Sequence, residues 1–271
     1  MGEKRKDGGG AIKSRAFSVA IFAFVAAFVA AILGLLVVDA LYVDMGAVAE
    51  VLRSREIRAA AWLSIWSTTL TTMIALVFAV PMGYALSRYR FPGRMLVDTV
   101  VDIPIVFPPL VMGLSLLVFF SSDVGRWIES LGATFVYQRS GIVLAQLLVA
   151  ASFGMRAIKS TFDNIDARQE EVALTLGCTT GGAFWRVAVP NARGGIVAGT
   201  ILTWARAFGV FGPLMVFVGA VRMRTEVLPT SIYLEASVGR IEVALAVALL
   251  MIGMAGVALI LIRLFGGERI W

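Results

Sequence analysis

The chain has 271 residues, 59% of them hydrophobic and 15% charged, with mean hydropathy +0.87 and a formal charge of +6. Soluble domains carry roughly 25% charged residues, so this balance describes an integral membrane protein and assigns the positive charge to loops at a membrane surface rather than to nucleic acid. The absence of histidine and the presence of one cysteine, Cys178, exclude His-based nucleophile activation, His metal ligation, His proton relays and an intramolecular disulfide.

A membrane-spanning helix needs about 20 mostly apolar residues. The basic arm MGEKRKDGGG leads into an apolar run that is too long for a signal-peptide core and lacks a small-x-small cleavage site. That pattern predicts a retained first span over about 17–38. Further spans are expected over about 62–86, 96–120, 141–155, 195–220 and 243–264, the fourth being the shortest. The fold class is therefore all-α, a polytopic bundle of six transmembrane helices. It divides into an arm, first span and outer loop over 1–60 and a five-helix core over 61–271. Few residues follow the sixth span, so no appended cytoplasmic domain is expected.

Lysine and arginine set the orientation. The arm (Lys4, Arg5, Lys6, Lys13, Arg15) falls on one side, with the connections after the second span (Arg88, Arg90, Arg94) and the fourth (Arg156, Lys159, Arg168, Arg186, Arg193) and the tail (Arg263, Arg269). Only eight arginines lie in the other connections. The richer side is read as cytoplasmic, with both termini inside. The outer connections are too short to be domains.

Prolines interrupt three spans: Pro81 in the second, Pro104, Pro108 and Pro109 in the third, Pro213 in the fifth. Such breakers are tolerated where protein or water satisfies the freed backbone groups. They read either as ordinary kinks or as irregularities lining a path. Arg206 is the one charge clearly inside a span, near mid-membrane, where insertion costs about 2.5–3.5 kcal/mol. It is either a cation facing a substrate path or a structural arginine bonded to carbonyls or a neighbouring helix. Ser115, Thr200 and Thr203 are further candidates for lining a path, and each can instead bond its own helix. Gly195 and Gly199 form a GxxxG spacing that permits close helix approach. Trp62 and Trp66 sit where interface anchors belong.

No GxxxxGK[ST] loop, HExxH or GxSxG is present, so the chain neither binds ATP in the usual way nor offers a catalytic constellation. No catalytic, metal or cofactor-binding residue is assigned.

The polar stretch 168–190, RQEEVALTLGCTTGGAFWRVAVP, stands out against this background. Helical spacing groups Val172 and Leu176 with Leu174 flanking. Gly177 supplies a stop or a positive-φ position. A second short apolar piece follows (Phe184, Trp185, Val187), closed by Pro190. On pattern alone this is either a docking knob for a soluble partner or an interfacial loop without one.

The spacing Glu171-Val172-Ala173, three residues, Gly177, nine residues, Val187-Ala188-Val189-Pro190 resembles the cytoplasmic signature of permease subunits of binding-protein-dependent ABC importers of type I. The likeness extends over about 62–264. It implies an ATP-driven alternating-access permease in the cytoplasmic membrane, working beside a second permease subunit, with a homodimer expected. It also implies two ATPase subunits carrying ATP and Mg, an extracytoplasmic solute-binding protein, and surrounding lipid. Residues 168–190 would be the coupling helices, with Glu171, Ala173, Gly177 and Pro190 in the ATPase-docking element; the neighbouring Glu170 is equally placed for the charged contact.

Three further pieces resemble the molybdate, tungstate and sulfate branch: SRYRFPG with DIPIVFPP, WARAFGVFG, and TEVLPTSIY. The branch often carries Glu where Val210 stands here. Other solutes (a phosphonate, an organic anion, an iron complex), an ion-coupled carrier and an intramembrane enzyme are the alternatives.

Overall fold

The computed structural model describes residues 8–265, with side chains for 17–264. Lys4, Arg5, Lys6 and Arg269 of the orientation argument lie outside the described residues. The described chain is all helix and connection, as expected for the fold class. In order the helices are α1 (Gly8–Tyr42), α2 (Met45–Arg53), α3 (Arg55–Arg88), α4 (Arg94–Val106), α5 (Pro109–Ser121), α6 (Asp123–Ser130) and α7 (Arg139–Asn164). They continue with α8 (Arg168–Thr175), α9 (Thr180–Ala183), a π-helical turn (Phe184–Ala188), α10 (Val189–Asn191), α11 (Arg193–Phe208), α12 (Gly212–Phe217), α13 (Leu228–Ser237) and α14 (Ile241–Phe265).

The six expected spans, three of them interrupted by prolines, are not matched helix for helix among the described residues. Four described helices are long and apolar enough to cross a membrane: Phe17–Tyr42, Arg55–Arg88, Arg139–Asn164 and Ile241–Leu264. The third expected span is a bent pair, α4 and α5 meeting at 113°. Two consecutive prolines explain the bend. Phe107 and Pro108 each precede a proline and are extended, with ψ of 126° and 128°. The fifth expected span is broken as well. α11 ends at Phe208 after 16 residues, about 24 Å of helix. The chain restarts at Gly212, with Pro213 in the first turn of α12, where its missing N–H costs nothing. α3, by contrast, runs unbroken through Pro81.

The fourth span runs nine residues past its expected end, because the charges that hid that end are paired. Arg156 bridges Asp98 (3.2 Å) and Asp102 on α4, and Lys159 pairs with Asp163 at 2.9 Å. The connections also hold three short helices that the apolar pattern does not reveal, α2, α6 and α13. Asp44 and Ser54 cap α2 and α3 by accepting from Gly46 and Ile57 amides.

α3, α7 and α11 form the centre of the bundle, with α13 and α14 packed on one flank and α5 and α12 on the other. α1 has no buried residue over Phe17–Tyr42 and touches α14, which fits a lipid-facing helix. A polar seam runs through the central helices. Ser64, Ser67, Thr68, Thr71 and Thr72 of α3 are all buried, as is Gln146 of α7. Gln146 accepts from Thr71 (3.1 Å) and donates to Thr68 (3.3 Å) and to the Ala207 carbonyl (3.2 Å). That last bond holds the broken end of α11, so the seam fixes where the helix stops.

Candidate functional site

Two places concentrate the groups of interest: the polar element from α8 to α10, and a cleft where the two helix breaks meet.

α8 carries its polarity inside out. Its apolar residues Val172 and Leu176 are 57% and 83% exposed, and Trp185 of the π-helical turn is 67% exposed, whereas Glu170 is only 7% exposed. Such an apolar patch on a polar loop marks an interaction surface. Glu171 points outward and Ala173 is half-buried.

α8 ends in a Schellman motif. The Cys178 amide donates to the Ala173 carbonyl (3.0 Å) and the Gly177 amide to the Leu174 carbonyl (3.0 Å), with Gly177 left-handed at φ 89°. A Cβ at Gly177 would meet nothing within 4 Å. Backbone conformation, not crowding within the chain, therefore requires glycine there. After the bend, Thr179 caps α9 by accepting from Gly182 at 3.1 Å. The helix then widens to π pitch over Phe184–Ala188 just before Pro190. A proline ring clashes with the carbonyl four residues earlier in an α-helix, and the wider turn accommodates it. Ala188 and Ala192 are fully buried against Met155, Ile158 and Phe162, and Asn191 donates to Gln169 at 2.7 Å, tying α10 back to α8.

The inward side of α8 is held by three groups. Tyr84 and Arg88, one turn apart on α3, both reach Glu170: the tyrosine hydroxyl donates at 2.6 Å and the arginine Nε at 2.9 Å. Arg88 also donates to the Phe162 (2.8 Å) and Ile165 (2.9 Å) carbonyls at the end of α7. Tyr84 is not singled out by the sequence pattern, and Arg88 enters it only as a loop charge and as part of SRYRFPG. The available signal is an arginine at the end of an apolar span, i+4 from a tyrosine.

The cleft lies between the α4–α5 and α11–α12 breaks. Its volume is about 380 Å³, and its lining includes Arg206, Pro108, Pro109, Gly209, Phe211 and Pro213. The breaks touch: a Cβ on Gly212 would stand 3.2 Å from Pro109 Cβ, and one on Gly113 2.9 Å from Pro213 Cα. Arg206 is half-buried with its guanidinium 5.3 Å from the centre of the Phe153 ring. Among the described residues no carboxylate pairs with it. Val210 is buried at the back of this cleft.

The other candidates are not gathered here. Thr203 is buried, bonds the Gly199 carbonyl (2.8 Å) and faces Gly154 of α7. Thr200 is half-buried and bonds the Ile196 carbonyl at 2.8 Å. Ser115 is exposed on α5. Within this chain only Arg206 of the four lines the cleft.

Comparison with known proteins places this architecture. Residues 75–267 match the family described as "Binding-protein-dependent transport system inner membrane component". The chain is 40% identical over 153 residues to the molybdate/tungstate transport system permease protein WtpB of Thermococcus kodakarensis, covering 56% of this chain and 58% of the relative's length. It is 30% identical over 214 residues to the sulfate transport system permease protein CysW of Synechocystis, covering 78% of each. It is 37% identical over 209 residues to a probable molybdenum ABC transporter permease protein of Haloferax volcanii, covering 76% and 75%. The fold resembles that of a bacterial ABC transporter involved in the import of the polysaccharide alginate, at TM-score 0.75 and 15% identity over 97% of this chain and 99% of the other. It also resembles that of the MetNI methionine ABC transporter, at TM-score 0.57 and 19% identity over 76% and 91%. The chain belongs to the family of binding-protein-dependent transport system inner membrane components, as a transport subunit rather than a catalytic one.

Proposed function

We propose that the chain is the permease subunit of an ATP-driven importer that moves a small tetrahedral oxyanion, molybdate, tungstate or sulfate, across the cytoplasmic membrane by alternating access. It pairs with a second permease subunit, read as a copy of itself, and with two ATPase subunits that carry the ATP and Mg. An extracytoplasmic binding protein delivers the anion. The α8–α10 element faces the cytoplasm, as do both termini, and the five helices after the first outer loop form the transport core.

The observation that carries the anion reading is Arg206, a cation that has no carboxylate partner among the described residues, in a cleft where two membrane helices break. A dianion passing there would offset a charge that the fold leaves uncompensated, which recovers the insertion cost of the arginine. The relatives' names, covering molybdate, tungstate and sulfate, support the same class. Thr203, Thr200 and Ser115 are assigned to the path only as groups that an opened state would turn toward it. Docking of the ATPase is assigned to the exposed patch on α8 and the π-helical turn, with Glu171, Ala173, Gly177 and Pro190 shaping it.

The test is uptake by proteoliposomes holding permease, ATPase and binding protein. Wild type is expected to accumulate one of the three oxyanions when ATP is supplied inside. Arg206→Gln should cut that uptake while the ATPase still co-purifies. Unchanged uptake kinetics would exclude the pathway role. Uptake of a phosphonate, an organic anion or an iron complex instead would overturn the substrate class.

A further inference from the structure

Glu170 is a charged side chain buried at a membrane edge, and docking does not use it. It faces away from the exposed patch. Its carboxylate is satisfied from within the chain, one oxygen by Tyr84 and the other by Arg88. Both donors belong to α3, the longest central helix, and lie one turn apart on one face.

Arg88 sits at a junction of opposite helix ends. Its guanidinium donates to two carbonyls at the C-terminal end of α7, where the helix dipole is negative, and pairs with a glutamate in the first turn of α8. The side chains are only 13% and 9% exposed. Tyr84 adds a second grip. Its ring packs edge-on against Phe162 at the end of α7 (5.4 Å) and against Phe184 of the π-helical turn (4.7 Å). Two residues of α3 thus hold both halves of the coupling element and the end of α7. Directly above, Gly83 lets α3 approach α7 so closely that a Cβ would stand 3.1 Å from the Lys159 amide nitrogen.

We propose that Tyr84, Arg88 and Glu170 are positioning residues that make α3, the end of α7 and the α8–α10 element move as one body, so that displacement at the docking surface reaches the membrane helices. This rests on the reading of α8 as the ATPase-docking helix. Without these bonds α8 keeps its connection to α7 at 165–167 and its Asn191–Gln169 tie to α10, but among the described residues no hydrogen bond from α8 to α3 remains. Four charge-assisted or hydroxyl hydrogen bonds of fixed direction make the joint stiff.

The experiment uses the complete complex of permease, ATPase and binding protein in proteoliposomes. Glu170→Gln keeps shape and the tyrosine contact but removes the charge, while Arg88 retains its two carbonyls. It should leave ATPase co-purification intact and lower anion taken up per ATP hydrolysed by about tenfold, the scale of one lost charge-assisted bond. Tyr84→Phe removes one hydrogen bond and keeps both ring contacts. It should lower the same ratio about threefold, and it provides the readout if Glu170→Gln folds poorly.

A second measurement does not depend on the substrate. Spin labels at Arg168→Cys and Arg90→Cys, both exposed, in a Cys178→Ser background report the distance from α8 to the connection just past the end of α3. In wild type that distance should be the same with and without ATP. In Glu170→Gln it should broaden or change between the two states. A ratio and a distance both equal to wild type would overturn the proposal. Loss of ATPase binding in Glu170→Gln would also overturn it, by making Glu170 part of the docking surface. Failure of wild-type permease to hold the ATPase at all would instead sink the docking reading.

Discussion

Gly199 of α11 lies against Gly154 of α7 so closely that a Cβ on Gly199 would stand 3.1 Å from the Gly154 carbonyl oxygen and 2.7 Å from Ile158 Cγ1. Gly195, one turn earlier, is pressed against Thr161 in the same way. The GxxxG spacing therefore marks a real crossing, the one that places α11 and Arg206 relative to α7. Gly199→Ala should destabilise the detergent-purified permease by about 1–3 kcal/mol, the usual cost of overpacking. Gly199→Leu should prevent accumulation of folded protein. A thermal midpoint for Gly199→Ala equal to wild type would show that the crossing has room to spare.

A second prediction concerns the end of α8. Because Gly177 is left-handed and its Cβ direction is empty, substitutions there should rank by tolerance of positive φ rather than by size. Gly177→Asn should be nearly silent, since asparagine visits this region readily. Gly177→Val should cost about 1–2 kcal/mol of local stability and reduce the ATPase recovered with the permease. Gly177→Asp adds a charge to the conformation that Asn tolerates, so any loss beyond Gly177→Asn isolates charge at the docking surface. Pull-down of the ATPase with the three variants checks the order. A ranking by side-chain volume would contradict it.

What was legible in the sequence follows from how local each signal is. The apolar runs and the Gly177–Pro190 spacing are local, and the helices of the first, second and sixth spans and the bend at Gly177 are where they were expected. The end of α7 was not legible, because Arg156 is matched by Asp98 and Asp102 from another helix, and a composition window registers charges without their partners. The choice between Glu170 and Glu171 was equally hidden. They are neighbours of one type, and only Tyr84 and Arg88, more than 80 residues earlier, distinguish them. The polar seam of α3 was legible and missed. Ser64, Thr68, Thr71 and Thr72 recur at helical spacing inside an apolar span, which is the signature of a buried polar stripe.

That seam yields a third prediction. Gln146 links α7 to Thr68 and Thr71 of α3 and to the Ala207 carbonyl beside the α11 break. Gln146→Leu removes all three bonds; Thr71 keeps the Val143 carbonyl and Ala207 keeps the Val210 amide, so the loss falls mainly on Thr68 and costs about 1–3 kcal/mol. The thermal midpoint should fall. Because Ala207 adjoins Arg206, the anion concentration giving half-maximal uptake should rise as well. A drop in stability with unchanged half-maximal concentration would confine Gln146 to a packing role.

The last prediction concerns pH and a carboxyl outside the spans. Glu226 is 2% exposed, its Oε1 accepts from Ser231 at 2.8 Å, and its Oε2 has no hydrogen-bond partner among the described residues. Burial raises its pKa above the ordinary carboxylate value of 4.5; Ser231 and Arg222 oppose the shift, and Glu235 and Glu56 add to it. The folded chain therefore holds this proton more tightly than the unfolded chain does. At pH values below 4.5 both states are protonated and the group costs nothing. As pH rises through 4.5 the unfolded state ionises first, and stability falls until the folded pKa is passed. Glu226→Gln mimics the protonated acid and removes this dependence. The thermal midpoint of Glu226→Gln minus that of wild type should be smallest near pH 4.5 and grow toward pH 8. A difference that is flat, or that shrinks with rising pH, would mean that Glu226 is stabilised as an anion in the folded protein.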